Sequence, residues 1–528
     1  MMQEQPQQKV GGTYARYVLF VLLLVYIFNF IDRQILSILA EEIKADLGIS
    51  DSEIGFLYGT AFAIFYAVFG IPLGRLADTW VRKNLIAIGL LFWSAMTALS
   101  GTARNFGMLA VYRIGVGIGE ASASPAAFSM LADYFSPKQR ATVSGIYASG
   151  VYIGAGIGIF LGGLILDSWH AVYPDHESSP LNLKGWHVAF FAVGLPGILM
   201  AAWVATLKEP VRGISEGLIA PVHPTPFRET WSELKALIPI FNLVDIYRLS
   251  QGKGVIVNMA AMAGISALAW LLIRLTGDLA QWVSLGFGVY VAFCWAQLLR
   301  YRDPATFSMM FHSRTYVFAM LGFPFLSFVT YGLGFWGPPY AQRAFGVSAS
   351  EAGTIMGLCI AVGGWIGVTL GGFLADYLKE RHVNGRYHVC FASVLLCVPA
   401  GLGFTLAEDP NIAYLFYFFL SAVSPMWLGS AISTVNDLVM PRMRAIASAY
   451  YILMLTFIGL ALGPYSIGLA SDLLADAGHD SDTALQLAMI IGLSALVPAF
   501  INLFISSRFL EGDEESRLER ARSLGEDV

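Results

Sequence analysis

Gly74-Arg-Leu-Ala-Asp78 closes the second long apolar run of this chain, and Gly372-Phe-Leu-Ala-Asp376 closes the tenth, 298 residues later. A second stretch repeats at nearly the same distance. Asp133-Tyr-Phe-Ser-Pro137-Lys-Gln-Arg140-Ala-Thr-Val-Ser144 returns as Asp437-Leu-Val-Met-Pro441-Arg-Met-Arg444-Ala-Ile-Ala-Ser448, offset by 304. Two different loops duplicated at one spacing imply two homologous halves.

Around these loops, runs of about 20 apolar residues, enough to cross a ~30 Å hydrocarbon core, fall near 15–40, 53–76, 84–103, 108–132, 141–166 and 187–207. Two more lie near 255–274 and 279–299, and six near 315–341, 350–376, 387–407, 412–437, 446–470 and 485–507. The chain is 56% hydrophobic and 13% charged, with mean hydropathy +0.63, whereas a soluble domain carries about 25% charged residues. The expected fold is an all-α polytopic membrane protein of two six-helix bundles, with two extra transmembrane helices inserted between them. Its segments are an N-terminal segment (1–14), a first bundle (15–207), a linker (208–254), an inserted hairpin (255–302), a second bundle (314–507) and a tail (508–528). The opening MMQEQPQQKV lacks the basic flank and cleavage site of a secretory leader, so the first run is read as a retained span.

Fourteen spans put both termini on one side. With that side inward, 25 Lys and Arg lie in inner loops and tails, five in outer loops, and Arg33 and Arg113 within spans. This asymmetry predicts cytoplasmic termini in a plasma or inner membrane. In the linker, Phe227, Trp231, Leu234, Ile238 and Phe241 recur at helical spacing among charges, predicting an amphipathic helix on the inner membrane surface. The tail after Phe509 is polar and reads as solvated or disordered. Cys294, Cys359, Cys390 and Cys397 sit in or beside apolar runs and read as packing residues. A net charge of −5 argues against a nucleic-acid partner.

Four charges stand out because an ionisable group at membrane depth costs at least about 3 kcal/mol. Asp32 and Arg33 interrupt the first span, and Arg113 and Glu120 the fourth, in Leu109-Ala-Val-Tyr-Arg-Ile-Gly-Val-Gly-Ile-Gly-Glu120. The last two lie seven residues apart, on one helix face and roughly 10 Å apart along the axis. Applying the repeat offsets sets Tyr331, Tyr417 and Ser424 opposite Asp32, Arg113 and Glu120, so the second half carries none of these charges. Glu120 and Asp32 are the candidate proton carriers, because an acid whose cationic neighbours change can bind and release a proton. Arg113 and Arg33 are candidate clamps for a phosphate or carboxylate, and Tyr331, Phe65 and Trp427 candidate cavity aromatics. Gly150, Gly154, Gly158 and Gly162 read as a helix-packing stripe. Gly115, Gly117 and Gly119 lie inside a span with no preceding strand, so they are not a nucleotide loop.

Six plus six spans with G-x-L-A-D after the second span of each half resembles the major facilitator superfamily. Within it, Arg113-x-Gly-x-Gly-Ile-Gly-Glu120-Ala-Ser, with the downstream Asp133…Arg140 loop and glycine stripe, resembles the Spinster family. Thr79 and Val81 depart from the superfamily pattern, where a basic residue and a glycine stand. The resemblance implies a secondary transporter working by alternating access, with lysophospholipid or sphingoid-phosphate substrates. The charge set also resembles proton-coupled symporters of sugar acids and related small anions, which is the alternative. The partners implied are a small-molecule or lipid substrate, protons and membrane lipids; a monomer without cofactor or metal is expected. No H-E-x-x-H, and no G-x-S-x-G on a suitable turn, points to an enzyme. The resemblance also implies a cytoplasmic gate of Asp78, Arg82, Asp133, Arg140, Asp376 and Arg444. In it Asp78 would meet Arg444, and Asp376 would meet Arg140, when the inner side is shut.

Single cysteines at Ser136 and Ser516 should react with impermeant reagents only from the cytoplasm, and one at Asp480 only from outside. Labelling of position 480 from the cytoplasmic side would refute the fourteen-span topology.

Overall fold

The computed structural model describes residues 10–216, 224–237, 239–250 and 252–526. Among them there is no strand, and thirteen helices are long and apolar enough to cross a membrane. The first half comprises α1 (Gly12–Leu47), α2 (Asp51–Thr79), α3 (Arg82–Ser100), α4 (Phe106–Glu120), α5 (Ala123–Tyr134), α6 (Arg140–Val172) and α7 (Gly185–Ala205). The linker holds α8 (Pro226–Leu237) and α9 (Pro239–Ser250), and the inserted hairpin is α10 (Lys253–Thr276) and α11 (Leu279–Arg302). The second half comprises α12 (Arg314–Phe345), α13 (Ala349–Lys379), α14 (Gly385–Leu406), α15 (Pro410–Val423), α16 (Leu428–Asp437), α17 (Pro441–Asp476) and α18 (Ser481–Glu515), followed by α19 (Arg517–Ser523).

The fourth predicted span is present but broken. α4 ends at Glu120 and α5 starts at Ala123, with the Ser122 hydroxyl donating to the Gly119 carbonyl at 2.8 Å. A matching interruption at 424–427 separates α15 from α16. The glycines of α4 explain how it seats. A Cβ at Gly117 would lie 2.5 Å from the Phe62 carbonyl oxygen of α2, and one at Gly119 2.8 Å from Trp93 Cβ of α3. The stripe on α6 packs as expected, Gly154 and Gly158 lying against Ile27 and Ile31 of α1.

The two halves repeat more than their loops. On the side of the termini, Arg82 pairs with Asp133 at 2.5 Å, and Arg386 pairs with Asp437. Arg140 donates to the Ala132 carbonyl at 3.2 Å, and Arg444 to the Asn436 carbonyl at 3.3 Å. Each pair stays within its own half. Asp78 and Arg444 form no ion pair, nor do Asp376 and Arg140. Arg140 pairs instead with Glu216 at 2.6 Å.

The halves meet on the far side. Asp472 of α17 accepts from the backbone N–H groups of Asp51 and Ser52 at 2.9 and 2.7 Å, at the N-terminus of α2. Asp167 of α6 accepts from Ser350 N at 2.7 Å, at the N-terminus of α13. Each half thus supplies a carboxylate that caps a helix of the other. A glycine one turn earlier permits each approach: a Cβ at Gly468 would lie 2.4 Å from the Asp51 carbonyl oxygen, and one at Gly163 2.1 Å from that of Ala349. Arg343 reinforces the seam, donating to Asp51 at 2.6 and 2.8 Å and to Glu41 at 2.7 Å. Among the described residues it is the one ion-pairing centre that joins the two halves.

Two expectations are corrected. The linker's single amphipathic helix is two, because Pro239 lacks the N–H that would continue α8 and opens α9 instead. Phe227, Trp231, Phe241 and Tyr247 leave an exposed apolar face along them, while Ile238 and residues 1–9 lie outside the described residues. The tail is not solvated coil. α18 runs on to Glu515, Lys379 holds Glu514 at 2.8 Å, and Arg442 pairs with both Glu526 and Asp303. Burial alone would raise the Asp303 carboxyl, but hydrogen bonds from Arg442 and Thr306 draw it down to about 2.

Only α10 of the inserted hairpin is peripheral. α11 lies against both halves, because Gly288 leaves room for Ile64 of α2 and Phe457 of α17. Tyr450 donates to the Ala292 carbonyl at 2.7 Å, and its ring stacks on Trp295 at 4.6 Å. Within the hairpin, Asn258 donates to Gln297 at 2.7 Å and accepts from Tyr290 at 2.5 Å, tying α10 to α11 in the apolar phase.

Asp167→Ala and Asp472→Ala should each weaken far-side closure by about 1 kcal/mol, and Gly163→Val should do so more strongly. A reporter cysteine at Ser37, whose hydroxyl now bonds the Phe335 carbonyl across the seam at 2.5 Å, should gain reactivity from the far side in all three. Unchanged reactivity would show that the caps do not hold the seam.

Candidate functional site

The four predicted intramembrane charges converge, but with partners exchanged. Arg33 Nη2 pairs with Glu120 Oε2 at 2.7 Å, joining α1 to the last residue of α4. Arg113 does not pair with Glu120. Its Nη1 donates to the Asp32 carbonyl at 3.1 Å and its Nε to the Leu57 carbonyl at 3.5 Å. Arg113 is 0% exposed, Asp32 and Glu120 each 1%, and Arg33 5%, so none is solvated by the bulk.

The ring of Phe62 meets both guanidiniums, 4.3 Å from the Arg33 carbon and 5.9 Å from that of Arg113. Phe30 and Tyr66 add contacts to Arg33 at 4.6 and 5.3 Å. These faces offset part of the cost of burying cations. Beyond them Tyr26 stacks on Tyr147 at 4.4 Å and meets Phe30 edge-on. The arginines therefore sit against an aromatic wall.

Bonding capacity is left over. Arg33 Nε, Arg113 Nη2, Glu120 Oε1 and both carboxylate oxygens of Asp32 are buried without a hydrogen-bond partner. Trp93 Nε1 and Thr97 Oγ1, also unpartnered, are the donors that face Asp32, short of bonding geometry. Buried polar groups are nearly always satisfied, and these five open atoms fall in one cluster. Two are guanidinium donors suited to an anion, and three are acid oxygens able to hold a proton or accept one hydrogen bond each.

The predicted aromatics divide. Tyr331 of α12 comes within electrostatic reach of Arg33 and of Tyr58 from the other half. Phe65 instead stacks on Phe287 of the hairpin at 6.4 Å, and Trp427 on Phe323 within the second half at 5.8 Å. Of the six gate residues, Arg82, Asp133, Arg140 and Arg444 hold their own half or the linker, and among the described residues neither Asp78 nor Asp376 has an ion-pair partner. The far-side seam also has a signal in the sequence: Gly163-Leu-Ile-Leu-Asp167 and Gly468-Leu-Ala-Ser-Asp472 are themselves a repeat, offset by 305.

The model of the Major Facilitator Superfamily matches residues 22–464. The chain belongs to that superfamily. An MFS-type efflux pump of Mycolicibacterium smegmatis is 26% identical over 489 residues, covering 93% of this chain and 92% of that protein. Human protein spinster homolog 1 is 27% identical over 481 residues, covering 89% and 76%. A crystal structure of a bacterial homolog of the human lysosomal transporter Spinster, inward-facing and unoccupied, superimposes with a TM-score of 0.67 at 26% identity, covering 97% of this chain and 99% of that one. This facilitator is therefore a multi-pass integral membrane protein that resembles Spinster in sequence and fold.

The exchanged pairing separates the two acids. Arg33→Gln and Glu120→Gln should each lower thermal stability in detergent, with a coupling between them on the order of 2 kcal/mol in a double-mutant cycle. Asp32→Asn should leave the melting temperature unchanged or higher, because that carboxylate has no partner to lose. Additive losses at Arg33 and Glu120 would dissolve the pair.

Proposed function

We propose that this facilitator moves an amphipathic anion, of lysophospholipid or sphingoid-phosphate type, across the membrane by alternating access coupled to protons. The observation that carries the reading is the pair of unpartnered guanidinium donors, Arg33 Nε and Arg113 Nη2, set against an aromatic wall. The donors suit a phosphate or carboxylate head, and the rings suit an apolar body. An arriving anion competes with Glu120 for Arg33. Glu120 released from its cation, or Asp32 already without one, is then easier to bury with a proton than without. Proton and substrate are linked because they use the same cations.

Alternation follows from the two faces. The far side is shut by the reciprocal caps and Arg343, while the terminal-side charges bind within their own halves. In the opposite state the far-side contacts part, and Asp78 and Asp376 reach Arg444 and Arg140. The Lys and Arg distribution supports cytoplasmic termini in a plasma or inner membrane, which sets the shut far side outward. A symporter of sugar acids would use the same four charges without the aromatic wall.

Counterflow beside gradient-driven uptake, in vesicles reconstituted with a lysophospholipid or with glucarate, tests the reading. Arg113→Ala should weaken substrate binding by roughly 2–5 kcal/mol. Asp32→Asn and Glu120→Gln should keep exchange but lose acceleration by a pH gradient. Full proton-driven uptake in both acid variants would remove the proton from the mechanism, and preference for glucarate would select the sugar-acid alternative.

A further inference from the structure

A second site lies on the far side, away from the four charges. Where the start of α2, the turn between α10 and α11, and α17 meet, a cavity of about 290 Å³ is lined by Glu53, Phe56, Phe106, Asp278, Gln281 and Tyr465 among others. The side chain of Gln281 lines it while only 1% exposed, and neither its amide oxygen nor its amide nitrogen has a hydrogen-bond partner. Leaving both ends of a buried amide unmade is costly. No element of the fold repays that cost, so an absent partner is implied.

The surroundings define its chemistry. No Lys or Arg lines the cavity, whereas two carboxylates do. Asp278 accepts from Tyr465 at 2.6 Å and has no cationic partner among the described residues. Burial, together with the nearby Asp472 carboxylate, raises the Asp278 carboxyl above its ordinary range despite that hydrogen bond, a cost that a bound cation would relieve. Phe56 and Phe106 form a pair at 5.6 Å, and Trp282 meets Tyr465 edge-on at 5.5 Å, so the walls are aromatic. Gln281 needs a donor for its oxygen and an acceptor for its N–H groups at once. We infer that the cavity binds a 2-aminoethoxy group, whose ammonium meets Asp278 and the Gln281 carbonyl while its oxygen accepts from the Gln281 amide N–H. Free ethanolamine and the headgroup of an ethanolamine lipid share this chemistry.

The site has a consequence for state. Glu53, Phe56 and Phe106 belong to the first half, Asp278 and Gln281 to the hairpin, and Tyr465 to the second half. It is complete only while the far side is shut, so an occupant favours that state. The binding claim does not depend on what the central site carries.

The test uses full-length purified protein and ethanolamine as probe, read by thermal stability. In delipidated detergent, ethanolamine should stabilise the protein, whereas ethanol and acetate should not. Asp278→Asn should weaken the apparent affinity about tenfold. Gln281→Leu should raise stability without ligand, by removing the unmade bonds, and abolish the response to ethanolamine. That opposite pair of effects separates loss of the site from loss of the fold. Arg33→Gln should leave the response intact. In nanodiscs, loss of the response in phosphatidylethanolamine but not in phosphatidylglycerol would identify the lipid headgroup as occupant; a response in both would identify the free amine. No stabilisation in detergent, or equal stabilisation of both site variants, would overturn the assignment.

Discussion

Two carboxylates reaching across the seam to cap each other's helices are the constraint on which this conformation rests. Asp472 holds the first N–H groups of α2 and Asp167 that of α13, each with a glycine one turn before it. Helix N-termini carry unsatisfied donors and a partial positive charge, so the interaction is favourable and directional without needing a buried ion pair. The two caps are related by the internal repeat. Arg343, with one anchor in the second half and acceptors in the first, adds a charge-assisted lock that the symmetry does not duplicate.

Symmetry governs the frame and is abandoned at the chemistry. The loop pairs Arg82–Asp133 and Arg386–Asp437 are copies, as are the backbone grips of Arg140 and Arg444. The Arg33–Glu120 pair has no counterpart, since Tyr331 and Ser424 occupy the corresponding neighbourhood of the second half. One half brings the charges, and the other brings a phenol to their edge. A cluster carried by one half can travel with it as a rigid unit, leaving the other half free to move against it.

Much of this was legible in the sequence because membrane physics is severe. Apolar length marked the spans, the duplicated loops marked the halves, and the expense of burying charge marked Asp32, Arg33, Arg113 and Glu120. What was not legible was partnership. Residues on one helix face suggested Arg113 with Glu120, but α1 packs so that Arg33 reaches Glu120 first. Phe62 is one aromatic among many in the sequence, and only the packing sets both guanidiniums on its ring. The tail reads as solvated by composition, yet Lys379, Arg442 and Asp437 from other elements hold it down. Helix periodicity reports which residues share a face, and says nothing of which neighbour that face meets.

The inserted hairpin changes how the bilayer sees the molecule. Two bundles related by a two-fold axis have two equivalent flanks at which their seam meets lipid. Here α11 fills one of them, between α2 and α17, with Gly288, Tyr450 and Trp295 closing the fit. The opposite flank, where α6 meets α13 through Gly156 and Gly357, carries no such plug among the described residues. The protein therefore has a front and a back with respect to the plane of the membrane.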